Sequence, residues 1–115
     1  MSELLVDTDV LIDHLRGHRR FEPRRARIAY SVITRAELYA GKATDEAIVD
    51  RLLAPFREIV VDRAIAATAG RLRRKLAIRT PDALIAATAL EHRCTLLTRN
   101  RADFANIPKL PVRSP

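Results

Sequence analysis

Short apolar runs rich in β-branched residues alternate with longer stretches of helical period, and this alternation restricts the chain more than any other feature. Leu4-Leu5-Val6 reads as a strand, and Asp7 to Arg16 as a helix with Leu11, Ile12 and Leu15 on one face and Gly17 at its end. Ile28 to Ile33 predicts a second strand, followed by a short helix from Thr34 to Ala40. Residues 45 to 54 carry Ile48, Val49, Leu52 and Leu53 at helical spacing. Glu58 to Val61 reads as a third strand, and Arg63 to Leu76 as a long helix. Residues 81 to 92 are apolar on nearly every side, which predicts a buried helix. Cys94 to Leu97 makes a fourth strand, and a short fifth is expected around Leu110 to Val112. Strand and helix in this order predict an α/β fold: one domain over residues 1–115, with a central parallel sheet of four to five strands and helices on both faces. The one irregular stretch is His18 to Arg27, interrupted by Pro23.

The 115 residues allow a single core, and 48% apolar with 30% charged residues is a globular profile rather than a disordered one. The longest strictly apolar run is the five residues Ala83 to Ala87, so no bilayer span is expected. No basic stretch followed by an apolar core opens the chain, so no secretory signal is expected either. Cys94 stands alone, which suits a reducing cytoplasm. The formal charge is +7, and eighteen of the 21 basic residues are arginine, whose planar fork suits phosphate and hence nucleic acid.

Ligands of an open parallel sheet bind beyond the carboxyl ends of its strands. Asp7 ends the first strand, Asp103 follows the fourth after Thr98-Arg99-Asn100, and Glu37 lies one turn into the helix after the second. Asp82 opens the buried helix and reaches the same edge if that helix runs back along the sheet. Each acid also has a capping reading. Asp7 can cap the helix after it, Thr34 to Glu37 fits a capping box, Thr80-Pro81-Asp82 fits a capped N-terminus, and Asn100 to Asp103 can cap a single turn. The capping roles do not compete with a joint one. Carboxylates at clustered helix starts repel one another unless a cation neutralises them. Oxygen ligands, with Thr98 and Asn100 as neutral supplements, suit Mg²⁺ or Mn²⁺. Cys94, His14, His18 and His92 show no zinc spacing. A hard ion held this way activates water for phosphodiester hydrolysis.

Four blocks carry a family resemblance: Leu4-Leu5-Val6-Asp7-Thr8-Asp9-Val10-Leu11-Ile12, Ser31-Val32-Ile33-Thr34-Arg35-Ala36-Glu37-Leu38, Thr80-Pro81-Asp82-Ala83-Leu84-Ile85-Ala86-Ala87 and Leu97-Thr98-Arg99-Asn100-Arg101-Ala102-Asp103-Phe104. In this order, from about residue 3 to residue 112, they resemble the motifs of PIN-domain ribonucleases, VapC-type toxins of bacterial toxin–antitoxin pairs above all. The resemblance implies Asp7, Glu37, Asp82 and Asp103 as catalytic, metal-binding acids. Thr8, Thr98 and Asn100 would be polar supports, with Asp9 as a further one that reaches the metal through water. It also implies Mg²⁺- or Mn²⁺-dependent endonucleolytic cutting of RNA to a 3′-hydroxyl and a 5′-phosphate. A homodimer and a cognate antitoxin laying a peptide across the active-site groove belong to the same expectation. The chain is short for the family, with abbreviated spacing between the first, second and third acids, which argues against the family's usual helical hairpin near residues 18 to 60 and the substrate clamp it forms.

Two basic stretches supply candidate RNA contacts: Arg19 and Arg20 within the arginine-rich segment 16–27, and Arg71, Arg73, Arg74 and Lys75 within 71–79. A solvated helix face accounts equally well for residues 71–75. Of the aromatics, Tyr30, Phe56 and Phe104 read as core and Phe21 as the candidate for base stacking. Asp13 reads as solvated. Two other functions compete. Asp7-Thr8-Asp9 after an apolar strand resembles the haloacid-dehalogenase phosphatase motif, but Lys42, Lys75 and Lys109 stand in no matching context and no paired-acid motif follows. A non-catalytic RNA- or protein-binding domain is the other alternative, and the four acids argue against it.

Overall fold

A computed structural model describes residues 3–23 and 26–115. Five parallel strands lie in the order β3-β2-β1-β4-β5. In the described chain the elements run β1 (Glu3–Val6), α1 (Thr8–Leu15), β2 (Arg27–Ser31), α2 (Val32–Tyr39), α3 (Glu46–Leu53), β3 (Arg57–Ile59), α4 (Arg63–Lys75), α5 (Thr80–Glu91), β4 (Thr95–Leu97), α6 (Arg101–Phe104) and β5 (Val112–Arg113). The fold expected from the alternating pattern is therefore present, with the fifth strand two residues beyond its expected start.

β1 lies at the centre, and its pleat decides the two halves of the core. Leu5 faces one side, where Ile65, Ala69, Ile85, Ala86, Ala89 and Phe104 from α4, α5 and α6 cover it. Leu4 and Val6 face the other, against Val10, Leu11, Leu38, Val49 and Leu53 from α1, α2 and α3. Leu5 is fully buried, so Leu5→Ala would cost about 2–5 kcal/mol. Small residues along α5 (Ala83, Ala86, Ala87 and Ala89, all fully buried) let α4 and the sheet approach it closely. Gly17 ends α1 with φ 73°, a backbone conformation that favours glycine.

The segment whose short spacing argued against the family's hairpin nonetheless holds a helical pair, α2 and α3, eight residues each. Arg35 fastens them: its guanidinium donates to Asp50 on α3 at 2.8 Å, to Glu58 on β3 at 2.6 Å and to the Tyr30 hydroxyl at 3.1 Å. Among the described residues no helix is long and apolar enough to cross a membrane.

Several local expectations are corrected. β2 ends at Ser31, whose hydroxyl caps α2 by accepting from the Ile33 N–H at 3.1 Å. Thr34 therefore lies inside the helix, fully buried, and forms no capping box with Glu37. α5 begins on Thr80 itself, so Arg79 occupies the cap position and makes no side-chain capping bond. Phe21 is not a free stacking platform: it packs edge-on against Phe56 with ring centroids 5.9 Å apart. Asp13 is buried rather than solvated, because Arg99 reaches across from the loop after β4 and pairs with it at 2.7 Å. In the arginine-rich segment 16–27, Arg24 and Arg25 lie outside the described residues.

Candidate active site

Parallel strands deliver every following segment to one edge of the sheet, and helices preceding a strand start there too. Asp7, at the end of β1, caps α1 and accepts from the Thr8 N–H at 2.8 Å. α5 leads into β4, so its first turn brings Asp82 back to the edge where β1 ends. Glu37 arrives on α2 and Asp103 on α6. The suitable run of α5, left conditional by the sequence, is thus met.

Hydroxyl and amide groups hold the acids. Thr98, fully buried at the end of β4, donates to Asp7 Oδ2 at 2.8 Å and accepts from the Asn100 N–H at 3.1 Å. The Asn100 side-chain amide donates to Asp9 Oδ2 at 2.9 Å, and the Arg99 N–H lies 3.4 Å from Asp9 Oδ1. Asn100 heads α6 without a side-chain capping bond, and its side-chain NH₂ donates to Asp9. Thr8 donates to Glu37 Oε1 at 2.7 Å, and its hydroxyl lies 2.9 Å from that of Thr34. Thr34, read from sequence as a cap, instead lies behind Thr8. Thr8 and Thr98 therefore each touch one of the four acids, while Asn100 touches Asp9, which reaches the cluster through the Thr98 hydroxyl at 3.3 Å.

The acids act on one another through their charges. Burial pushes Asp7 up to about 7; the charge of Asp9 adds to this and that of Asp82 adds less, against the pull of the Thr98 and Thr8 hydrogen bonds. Asp82 is raised by burial and then by the like charges of Asp103, Glu37 and Asp9, with Arg79 opposing. Asp9 is raised by burial, countered by its bonds from Arg99, Thr98 and the Val10 N–H. Five carboxylates thus share one edge. Two arginines missed as site residues, Arg79 and Arg99, stand beside them, and only a three-dimensional neighbour relation could have singled them out.

The donor set is all oxygen, and its members destabilise one another's charged forms, which is what a hard divalent cation relieves. Among the described residues no three Asp, Glu, His or Cys side chains are gathered closely enough to enclose an ion. Mg²⁺ needs no such cage, since it keeps several waters and takes one or two carboxylates. The residues fit such an ion. The arginines named as RNA contacts are exposed on α4, with Arg73 Nε bonded to the Ile78 carbonyl at 3.1 Å. Arg19 donates to the Pro115 carbonyl at 2.7 Å, and Arg20 lies 3.7 Å from Glu22.

Residues 4–110 match the PIN domain family model. Ribonuclease VapC10 of Mycobacterium tuberculosis is 40% identical over 93% of this chain and 90% of its own length. Ribonuclease VapC19 of the same organism is 35% identical over 92% and 95%. Among solved structures, a toxin–antitoxin complex from Klebsiella pneumoniae superposes with TM-score 0.80 at 37% identity, covering 94% of this chain and 95% of that one. The DNA-bound VapBC of Salmonella typhimurium, at 23% identity and TM-score 0.85, shares the fold. With its acids gathered at one sheet edge and these relatives matching nearly end to end, the chain belongs to the PIN-domain family.

Proposed function

We propose that this protein is a metal-dependent endoribonuclease and the toxin half of a toxin–antitoxin pair. The convergence of Asp7, Glu37, Asp82 and Asp103, with Asp9 beside them, carries the reading. The relatives named ribonucleases support RNA as substrate. Of Asp7, Glu37, Asp82 and Asp103, one or two would hold Mg²⁺ or Mn²⁺ directly and the others through its water molecules. Bound there, such an ion supplies an activated water and charge neutralisation for phosphodiester hydrolysis. The chain's own residues prepare that step. Thr98 fixes the carboxylate plane of Asp7, Thr8 fixes Glu37, and Asn100 with the Arg99 N–H fixes Asp9. Thr98, Arg99 and Asn100 follow directly on β4 and Thr8 opens α1 after β1, so the donors are anchored at the carboxyl ends of the two neighbouring strands.

The phosphatase alternative needs Asp9 free to shuttle a proton. Both its oxygens are instead engaged by Asn100, Thr98 and the Arg99 N–H. A non-catalytic binding domain would have no use for buried carboxylates that raise one another's proton affinity at a cost in stability.

The antitoxin reading draws on the toxin–antitoxin neighbours and on a groove of about 410 Å³ beside Glu37. Ile12, Leu15 and Ile48 line it with Arg16 and Lys42, and Leu15 and Ile48 are exposed at 37% and 48%. An amphipathic segment with apolar and acidic side chains suits that lining. A homodimer and a cytoplasmic location, where RNA and a reducing environment coincide, complete the proposal. The test is cleavage of total cellular RNA with Mn²⁺ or Mg²⁺ against EDTA, beside Asp7→Asn. Cleavage that survives both EDTA and the substitution would remove the reading.

A further inference from the structure

The basic segment after α4 separates into residues with different tasks. Arg73, on the last turn of α4, turns toward its own chain and donates through Nε to the Ile78 carbonyl at 3.1 Å. The Ile78 N–H returns to the Leu76 carbonyl at 2.9 Å, so the loop into α5 is tight and pinned to α4. Arg79 comes next. Its backbone is extended (φ −73°, ψ 153°), it occupies the cap position of α5 and its side chain is exposed without a capping bond. Asp82 stands three residues on, in the first turn of the helix that Arg79 heads, and the charge of Arg79 acts on its carboxylate. Among the described residues Arg79 makes no ion pair or side-chain hydrogen bond, whereas Arg99 is committed to Asp13 at 2.7 Å.

An edge lined by carboxylates repels a polyanion, so RNA needs a cation at the rim to bring its backbone against the acids. We propose that Arg79 grips a backbone phosphate of the RNA beside Asp82, and that Arg73 serves as a positioning residue for it through the Ile78 clamp. This rests on the ribonuclease reading for the kind of ligand, but not on cleavage. A guanidinium fork presents two parallel N–H donors to a phosphate, which a lysine ammonium cannot do. Arg71, Arg74 and Lys75, exposed on α4, then contribute field rather than contact.

The experiment measures binding of a non-cleavable 2′-O-methyl RNA oligonucleotide across a salt series, in EDTA, with Mn²⁺ binding measured separately by calorimetry. Arg79→Ala should weaken RNA binding about tenfold at low salt and lower the log–log salt slope by about 0.7, one phosphate contact on a single strand. Arg79→Lys should keep most of the slope and lose part of the affinity. Arg73→Ala should weaken binding less, and adding it to Arg79→Ala should cost nothing more, since it acts through Arg79. Arg74→Ala should add independently to either. Mn²⁺ affinity should hold or rise in Arg79→Ala. An unchanged salt slope with altered Mn²⁺ affinity would mean that Arg79 acts on Asp82 alone, and would overturn the proposal, as would a parent that binds no RNA. A parent that binds RNA through Arg79 but never cuts it would instead remove the ribonuclease reading and leave this one standing.

Discussion

The Thr98 hydroxyl donates to Asp7 Oδ2 at 2.8 Å, joining the carboxyl ends of two neighbouring strands across 91 positions of sequence. Thr98 is wholly buried and Asp7 nearly so, so this bond has no competition from water. It pulls Asp7 toward the charged form while burial and Asp9 push the other way. Thr98→Val keeps the shape and removes the donor. We expect it to cost about 1–3 kcal/mol of stability and to displace the pH profile of RNA cleavage to higher pH. A variant with the parent's profile would remove Thr98 from the control of Asp7.

The same balance predicts how the metal-free protein responds to pH. Asp7 has a folded pKa of about 7, above its ordinary value near 3.8. The folded state therefore binds the proton more tightly than the unfolded state. The resulting stability is full below about pH 4 and is lost as pH rises through 7, a ceiling of about 4 kcal/mol. Asp9 and Asp82 are shifted in the same direction. In EDTA, the difference in melting temperature between Asp7→Asn and the parent should grow in favour of the variant from pH 4 to 7.5. A constant difference would count against a strained Asp7.

Divalent metal should reverse that loss. Mn²⁺ or Mg²⁺ at a hundred times its dissociation constant stabilises the native state by about 2.7 kcal/mol, visible as a raised melting temperature. Asp82→Asn should lose most of the shift, and without metal it should melt no lower than the parent, since a repelling charge has gone. A melting temperature indifferent to millimolar metal would speak against the four acids as ligands.

Asp13 and Arg99 show where the sequence stops being legible. The order of strands and helices, the sheet edge and the acids at the strand ends follow from local pattern and from the rule for parallel sheets. Asp13 sits on a helix whose apolar stripe runs elsewhere, so it reads as solvated until a partner 86 positions away is placed on it. Phe21 and Phe56 pose the same problem, each given its surroundings by a distant segment. The start of α2 was hidden for a different reason. Ser31 and Thr34 are both good caps, and the choice between them is made by β2 pairing with β3 as far as Ser31, opposite Ile59. Local chemistry offered two starts and the sheet selected one. For the ion pair, Arg99→Ala should cost about 1–2 kcal/mol, moderated because half the Arg99 side chain is exposed. Asp13→Asn in that background should recover part of it in thermal unfolding, and a strictly additive double variant would show the pair to be uncoupled.

The strongest contrast between reaction types lies in Asp9. If it is a supporting residue of the ribonuclease, its carboxylate serves to hold the loop that leads from Thr98 to Asp103. Asn100 donates to Asp9 Oδ2 at 2.9 Å and the Arg99 N–H approaches Oδ1, so both oxygens act as acceptors. Asp9→Asn turns one acceptor into a donor, and the amide of Asn100 must then rotate or lose its partner. The loop loosens while Asp7, still held by Thr98 and the Thr8 N–H, keeps its place. RNA cleavage should therefore fall about 10–100-fold without disappearing. Asp7→Asn and Glu37→Gln, which alter proposed metal ligands, should abolish it. In a phosphatase of the haloacid-dehalogenase type Asp7 would carry a phosphoryl group and Asp9 would protonate the leaving group, making the two substitutions equally damaging. The parent should leave a small phosphate monoester untouched. Monoester turnover with a phosphorylated Asp7, or full RNA cleavage by Glu37→Gln, would replace the metal-dependent ribonuclease with another chemistry.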